Sequence, residues 1–316
     1  MTILACDLGG TRMKIGVVRE GRVLAQTTAP ANSKADMATA LSMLQNAWLH
    51  LLRELKLEVR DCAGISMAFP SLVDVKSGRV LADFGKYANA VKFDFRAWAQ
   101  ENFQSPLALE NDARMALVGE WRHGAGRGSD NVAMITLGTG LGTSAVIQGR
   151  LLRGQHGQAG VLGGHITVHY GGRDRTCGNI GCAEAEASTA FLCDMAVSLP
   201  EWNSSSLRKL ATLNYASVFK QAEAGDACAL KLREHSVRVW GTLAVNLIHA
   251  YDPEIVILGG GIMASAGVIL PAIRGYVRKH ANTPWGEVRV VAGELGDTAA
   301  LLAGEWLLQD YFSIST

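Results

Sequence analysis

The 316-residue chain has no run of 18 apolar residues, so no segment reads as a transmembrane helix. Neither sign of charge is in surplus. Thirty Lys and Arg face 29 Asp and Glu, for a net charge of +1. That balance speaks against nucleic acid as the main partner, and no acidic block suggests a disordered tail. Cysteine is scarce: the six lie at positions 6, 62, 177, 182, 193 and 228, too sparse for a disulfide scaffold, and a reducing cytoplasm is the simplest setting. The N-terminus, Met1 to Asp7, has no basic stretch and meets an acid too early for a signal peptide. There is no low-complexity segment and no long Pro/Ser linker.

What is present is a core. Hydrophobic residues make up 48% and charged residues 19%, and the length suits two domains. Ile3–Cys6, Lys14–Val18 and the stretch from Val23 read as three strands of a meander joined by turns at Gly9-Gly10-Thr11 and Glu20-Gly21. Apolar residues at helical spacing predict a helix over 37–57. A buried strand at 63–68 follows, then a short strand at 107–109 and a helix over 113–121. Glycines between His123 and Asp130 mark a lobe junction. The second half opens like the first, with strands at 132–137 and 143–147 around a Gly/Thr turn, a weak repeat of pattern. A long helix over 227–252, a strand at 255–258 and helices over 264–277 and 298–308 complete an alternation that predicts α/β sheets flanked by helices. Ligands belong at the strand ends between the lobes. The expected division is 1–122 and 123–296, with a closing helix near 297–311 packing back on the first lobe.

Three glycine clusters follow strands. In Asp7-Leu8-Gly9-Gly10-Thr11, the glycines let backbone amides approach a phosphate and Thr11 offers a hydroxyl; Lys14 opens the next strand, and Asp7 suits Mg²⁺ held through water. Taken alone this is also an ordinary hairpin turn. Gly138-Thr139-Gly140-Leu141-Gly142 is its equivalent in the second half, and two such turns can clamp one polyphosphate. Neither has P-loop spacing. The third, Gly259-Gly260-Gly261, suits a bed beneath a purine. Its G-x-G-x-x-A spacing also fits a nicotinamide-dinucleotide fingerprint, but Arg278 and Lys279 stand where an acid is expected.

Glu110-Asn111-Asp112 sits between a strand and a helix. Asp112 can accept a hydroxyl proton during phosphoryl transfer and Asn111 can hydrogen-bond neighbouring hydroxyls. Asp112 is equally suited to an N-cap, or to both tasks. His165 with Cys177 and Cys182 supplies three of the four ligands that structural zinc takes, or else a core histidine and two lone thiols. Glu184 can accept hydrogen bonds from hydroxyls.

Together and in this order, these motifs resemble the ROK family of bacterial sugar kinases and repressors, over nearly the whole chain. Asp7-Leu-Gly-Gly-Thr-x-x-Lys14 resembles its first phosphate motif, Glu110-Asn-Asp-Ala113 with Gly119-Glu120 its catalytic signature, and Gly138–Gly142 its second phosphate motif. His165 with Cys177-Gly-x-x-Gly-Cys182-x-Glu184 resembles its zinc-and-sugar signature. Asn246-Leu-Ile through Pro253-Glu and Leu258–Gly261 resemble its adenosine region, and Gly296-Asp297 its closing helix. The resemblance implies a two-lobed actin-like ATPase fold (ribonuclease H-like, hexokinase type) and ATP-dependent phosphorylation of a hexose hydroxyl, usually O6. It implies Asp112 as general base, Asn111, His165 and Glu184 as sugar contacts, ATP and Mg²⁺ as cofactors, zinc as a further candidate, and a cytoplasmic homodimer. The family's repressors carry an extra N-terminal helix-turn-helix; here the first phosphate motif starts at residue 7, which favours a kinase.

Three departures from the family pattern matter. Arg175 replaces the first cysteine of Cys-x-Cys-Gly, so His169 or Asp174 would have to complete a zinc site. Ala159-Gly-Val161-Leu-Gly-Gly164-His165 lacks the usual sugar-binding glutamate. Phe69-Pro70-Ser71 and the bulky Gly85-Lys86-Tyr87 alter the expected sugar pocket. The sugar is therefore open, and a non-catalytic sugar-binding or regulatory protein is the alternative.

Overall fold

A computed structural model describes the chain except Ala35, Asp83, Ala88, Arg175, Thr176, Thr316 and the side chains of residues 314–315. The chain divides into two compact units. Unit 1 comprises residues 1–127, 153–159 and 294–316, and unit 2 comprises 128–152 and 160–293.

Unit 1 is built on a five-stranded sheet of order β3-β2-β1-β4-β7. Strands β1 (Thr2–Leu8), β2 (Arg12–Arg19) and β3 (Arg22–Pro30) form an antiparallel meander, and β4 (Ile65–Phe69) and β7 (Leu107–Asn111) add in parallel. A small hairpin, β5 (Val73–Asp74) with β6 (Arg79–Val80), lies between them in sequence. Buried on both faces, β1 and β4 are continuously apolar except near their ends.

Helix α1 (Met37–Glu54) buries Met37, Leu41, Leu44, Trp48, Leu51 and Leu52 at spacings of three and four. Asp36 caps its start by accepting from the Thr39 amide (2.9 Å), and the Trp48 indole donates to the Ala5 carbonyl (3.2 Å). The helix stops at Glu54 rather than running to 57. Lys56 takes a left-handed conformation (φ 55°), and the amides of Lys56 and Leu57 turn back to the carbonyls of Arg53 and Leu52. Helices α2 (Phe95–Phe103) and α3 (Asp112–His123) complete this part.

Unit 2 repeats the topology, with order β10-β9-β8-β11-β12. Strands β8 (Val132–Leu137), β9 (Leu141–Ile147) and β10 (Arg150–Leu151) are antiparallel, and β11 (Ile255–Gly259) and β12 (Arg289–Ala292) run parallel to β8. Short helices α4 (Ala183–Ala187) and α5 (Leu192–Val197) precede α6 (Tyr215–Glu223), α7 (Ala227–Tyr251) and α8 (Ala266–His280). Trp240 of α7 is fully buried and donates to the Ala187 carbonyl (2.9 Å). The same strand order occurring twice, three antiparallel strands followed by two parallel ones, is the ribonuclease H-like arrangement of actin-like ATPases.

The chain returns to unit 1 as α9 (Ala299–Leu302) and α10 (Gly304–Ser315), which continue through a helical Ala303 whose amide donates to Ala299 O and whose carbonyl accepts from Leu307 N, in keeping with the one closing helix that the sequence pattern predicts. Glycines let this helix pack closely on its neighbours. A Cβ at Gly304 would lie 2.6 Å from Ile3 Cδ1, and one at Gly119 of α3 would lie 2.0 Å from the Ala299 carbonyl oxygen. Among the described residues, no helix is long and apolar enough to cross a membrane.

Segment 153–159, expected with the second lobe, groups with unit 1 because Arg114 gathers it. The Arg114 guanidinium is fully buried and donates to the carbonyls of Gly157 (3.1 Å) and Ala159 (2.8 Å). It also pairs with the buried Glu110 (3.1 Å), whose other oxygen takes Arg153 (2.7 Å). Nothing in the local pattern announces this network.

Candidate active site

In unit 1, the turn between β1 and β2 is tied down through its carbonyls. Gly9 O accepts from the Tyr87 hydroxyl (2.8 Å), Gly10 O from the Ser33 hydroxyl (2.7 Å) and Thr11 O from the Ala31 amide (3.0 Å). Gly9 is obligatory, since a Cβ there would sit 2.5 Å from the Arg12 carbonyl oxygen. Among the described residues, no hydrogen bond engages the Gly10 or Thr11 amides. Fixed carbonyls and open amides make a concavity suited to an anion.

Asp7, at the end of β1, pairs through Oδ2 with Lys14 (3.0 Å), and Lys14 also meets Asp297 (3.1 Å). Burial pulls the Lys14 ammonium down, but Asp7 and Asp297 outweigh it and the net shift is upward. Lys14 is therefore a charged fixture of this turn. Asp7 Oδ1 accepts no hydrogen bond among the described residues, which leaves a carboxylate oxygen of the kind magnesium takes.

Asp112 stands at the first position of α3, where β7 ends. The cap is Asn111, not Asp112: Asn111 Oδ1 accepts from the amides of Ala113 (3.0 Å) and Arg114 (3.2 Å). The Asn111 amide group donates to Ser71 O (3.0 Å) and Asp112 Oδ1 (3.1 Å), so its four hydrogen-bonding positions are used within the protein. Asp112 Oδ1 also accepts from Ala113 N (2.8 Å), while Oδ2 accepts nothing among the described residues. Desolvation by the surrounding protein, then the negative charge of Asp7, push the Asp112 carboxyl up to about 6; Lys86, the Ala113 amide and Lys14 pull the other way. A carboxyl oriented through one oxygen and titrating near neutrality is fit for general-base work.

At the far end of α3, buried Glu120 accepts from the amides of Ala125 (3.0 Å), Glu294 (3.0 Å) and Leu295 (2.8 Å). Its role is to hold backbone rather than substrate.

Unit 2 builds its turn by the same logic from different residues. Gly138 O accepts from Thr189 N (3.1 Å) and Thr139 O from Ala190 N (3.0 Å), while Glu184 Oε2 accepts from Leu141 N (2.9 Å). A Cβ at Gly140 would lie 2.5 Å from that same carboxylate oxygen. Among the described residues, the Thr139 and Gly140 amides have no hydrogen-bond acceptor. Glu184 thus braces the second turn directly. Gly142 lies within β9, paired with Thr136. His165 ends a short 3₁₀ turn (Val161–His165), with Val161 buried where the family pattern has a glutamate. Gly163 and Gly164 are required there, because Cβ atoms would fall 2.3 Å from Thr143 Oγ1 and 2.0 Å from Leu141 O.

Gly260 follows β11 with φ 90°, and a Cβ would meet the Leu137 carbonyl oxygen at 2.3 Å. Gly259 would clash with Met134, whereas Gly261 faces open space. The dinucleotide reading of these glycines fails. β11 lies beside β8 in a sheet whose first three strands are antiparallel, and a 3₁₀ turn over Gly261–Ser265 separates the glycines from α8.

His165, Cys177 and Cys182 do not converge. Cys177 is exposed and Cys182 fully buried, and among the described residues no group of three His, Cys, Asp or Glu side chains could hold an ion. His169 Nδ1 turns instead to buried Glu186 (3.4 Å), and the Asp174 backbone bridges to Ile180. Arg175 lies outside the described residues. The donor set does not fit structural zinc. A cavity of about 680 Å³ in unit 2, lined by Arg274, Arg278 and Arg289, involves none of the sequence-predicted site residues.

Open-amide glycine turns on a duplicated ribonuclease H-like frame define the class, a phosphate-handling protein of the actin-like ATPase fold. Residues 3–311 match the ROK family, and the chain belongs to it. It is similar to the glucokinase of Thermotoga maritima, at 31% identity over 98% of both chains. It is similar also to the glucokinase of Halalkalibacterium halodurans, at 30% identity over 96% of this chain and 93% of that protein. Among solved structures it resembles a ROK family glucokinase from Streptomyces griseus in complex with glucose and AMPPNP. That match has a TM-score of 0.80 and 28% identity, over 98% of this chain and all of the other.

Proposed function

We infer that this ATP-dependent sugar kinase phosphorylates O6 of a hexose or hexose derivative, with Asp112 as the general base. The observation that carries the reading is the Asp112 carboxyl. It is anchored through Oδ1, has Oδ2 uncommitted among the described residues, and is raised to about 6 in the unit that also holds the first open-amide turn. As the sugar oxygen bonds to the γ-phosphorus, its proton passes to Asp112 Oδ2, and the bond to ADP breaks with its electron pair leaving on ADP. Transfer through a loose transition state asks mainly for positioning and charge stabilisation. In unit 1 the Gly9–Thr11 amides and Lys14 are the groups that would supply these to the phosphates, and the Gly138–Gly140 amides of unit 2 are the second proposed phosphate turn.

Asp7, through its second oxygen, is the residue that would hold Mg²⁺, which would neutralise phosphate charge when bound. His165 and Glu184 are the proposed sugar contacts, with Glu184 also bracing the second turn. Asn111 acts on Asp112 in this state and turns to the sugar only by exchanging a partner. The Gly259–Gly261 turn is the proposed floor of the adenosine site. A homodimer in the cytoplasm is the expected form.

The test is ADP release from Mg·ATP across hexoses, amino sugars, N-acetylated sugars and glycosides. Turnover with one class, producing a 6-phosphate and lost in Asp112→Asn, supports the reading. Phosphate on another hydroxyl overturns the O6 assignment, and near-normal turnover in Asp112→Asn removes Asp112 from the base role.

A further inference from the structure

The segment after β6 carries a cation, Lys86, held in an unusual backbone setting. Gly85, Tyr87 and Asn89 have φ of 73°, 56° and 69°, three left-handed residues within five. Glycine adopts this conformation freely, but a tyrosine does so only when its surroundings over-determine it. Here they do. The Tyr87 ring is buried at 1% exposure and tilts against Phe69 with centroids 5.5 Å apart. Its hydroxyl donates to Gly9 O and its amide to Ser33 O, while the Ser33 hydroxyl donates to Gly10 O. The strained segment is thus clipped to the Gly9–Thr11 turn through Tyr87, the residue that follows Lys86.

Lys86 lies over Gly10. A Cβ built on that glycine would be 3.4 Å from Lys86 Cε and 3.7 Å from Nζ. The neighbouring cations are already paired, Lys14 with Asp7 and Asp297, and Arg12 with Asp297 (3.5 Å). Lys86 forms no salt bridge among the described residues. Its charge also reaches Asp112, whose carboxyl it pulls downward. The phosphoryl group in transfer must pass between the donor phosphates at the turn and the hydroxyl at Asp112, so a cation that reaches both stands beside its path.

We propose that Lys86 is a further catalytic residue, its ammonium contacting the γ-phosphoryl group of the nucleotide at the Gly9–Thr11 turn. The inference rests on reading that turn as a phosphate site. Lys86 donates hydrogen bonds to the non-bridging oxygens and offsets their charge while the Pγ–O bond to ADP breaks and the bond to the sugar oxygen forms, the proton going to Asp112. A solvated surface lysine is the plain alternative, but it would not need a buried, left-handed tyrosine beside it.

The experiment compares wild type, Lys86→Met and Lys86→Arg for binding of Mg·ADP and Mg·AMPPNP by calorimetry, and for sugar-dependent ADP release. Expected for Lys86→Met is AMPPNP affinity lowered about tenfold with ADP affinity nearly unchanged, and kcat lowered roughly 10- to 100-fold. Lys86→Arg should recover most of both, which a merely structural role would not predict. Wild-type affinities and turnover within about twofold in Lys86→Met overturn the Lys86 assignment alone. Wild-type protein that binds neither nucleotide overturns the phosphate reading of the turn, and the Lys86 assignment with it.

Discussion

Replacing Asp112 by asparagine should weaken catalysis and strengthen the fold. The exchange is nearly isosteric. The carbonyl oxygen of asparagine can keep both bonds that Asp112 Oδ1 now accepts, from Asn111 Nδ2 and Ala113 N. What disappears is a carboxyl held at about 6 against an ordinary value of 3.8. That difference of about two units corresponds to about 3 kcal/mol at roughly 1.4 kcal/mol per unit. A carboxyl raised on folding binds its proton more tightly folded than unfolded. Its contribution is therefore fully favourable below about pH 4, declines as pH rises toward 6, and above that leaves the ionised carboxylate as a penalty. Asp112→Asn escapes the penalty. Urea midpoints of the two proteins should agree at pH 4 and diverge at pH 7.5, with the variant more stable by up to about 3 kcal/mol. Turnover of the same samples should fall by roughly 10²- to 10⁴-fold, the range for a lost general base. Midpoints that coincide at both pH values would refute the desolvated-carboxyl argument, whatever happened to the rate.

For the wild type, kcat/KM should climb with pH through about 6 on its acid limb, read with the best sugar between pH 5 and 8. Glu120→Gln leaves one acceptor oxygen for three partly buried amides, so stability should drop by about 1–3 kcal/mol, measured by calorimetry. Arg114→Met strips buried Glu110 of one of its two cations and should cost about 3–5 kcal/mol, more than Arg127→Met, whose exposed pair with Glu294 spans 4.0 Å. Gly260→Ala meets the Leu137 carbonyl and a positive φ together; ATP affinity should fall by more than in Gly261→Ala, where a methyl group finds open space.

The repeated fold was legible because its signals are local. Alternating strands, Gly/Thr turns and the Glu110-Asn111-Asp112 elbow each occupy a few residues, and the ordered glycines marked both open-amide turns. Boundaries slipped at helix ends, as at Lys56, whose left-handed conformation and back-turned amides end α1 three residues before the apolar pattern does. That Asn111 rather than Asp112 caps α3 could not be read from spacing, because either side chain fits the capping position. The three-ligand reading of His165, Cys177 and Cys182 failed for the converse reason. Closeness in sequence did not bring the three to one point. Arg114 and Arg153 carry no local signal at all, and Tyr87 stands out only for its bulk. Their partners lie 43 residues away for Arg114 with Gly157, 43 for Arg153 with Glu110, and 78 for Tyr87 with Gly9.

The path of the chain carries a consequence for anyone who would divide this protein. It passes between the units four times, at 127/128, 152/153, 159/160 and 293/294. A fragment spanning residues 128–293 would carry segment 153–159 away from the guanidinium that gathers its carbonyls. The complementary piece would keep a buried arginine and glutamate robbed of those partners. Neither half is an inheritable module. Gene fusions or splits that treat the two sheets as interchangeable blocks should yield insoluble halves, whereas co-expressed fragments cut at the exposed Gly225, where a Cβ meets nothing, should reassemble.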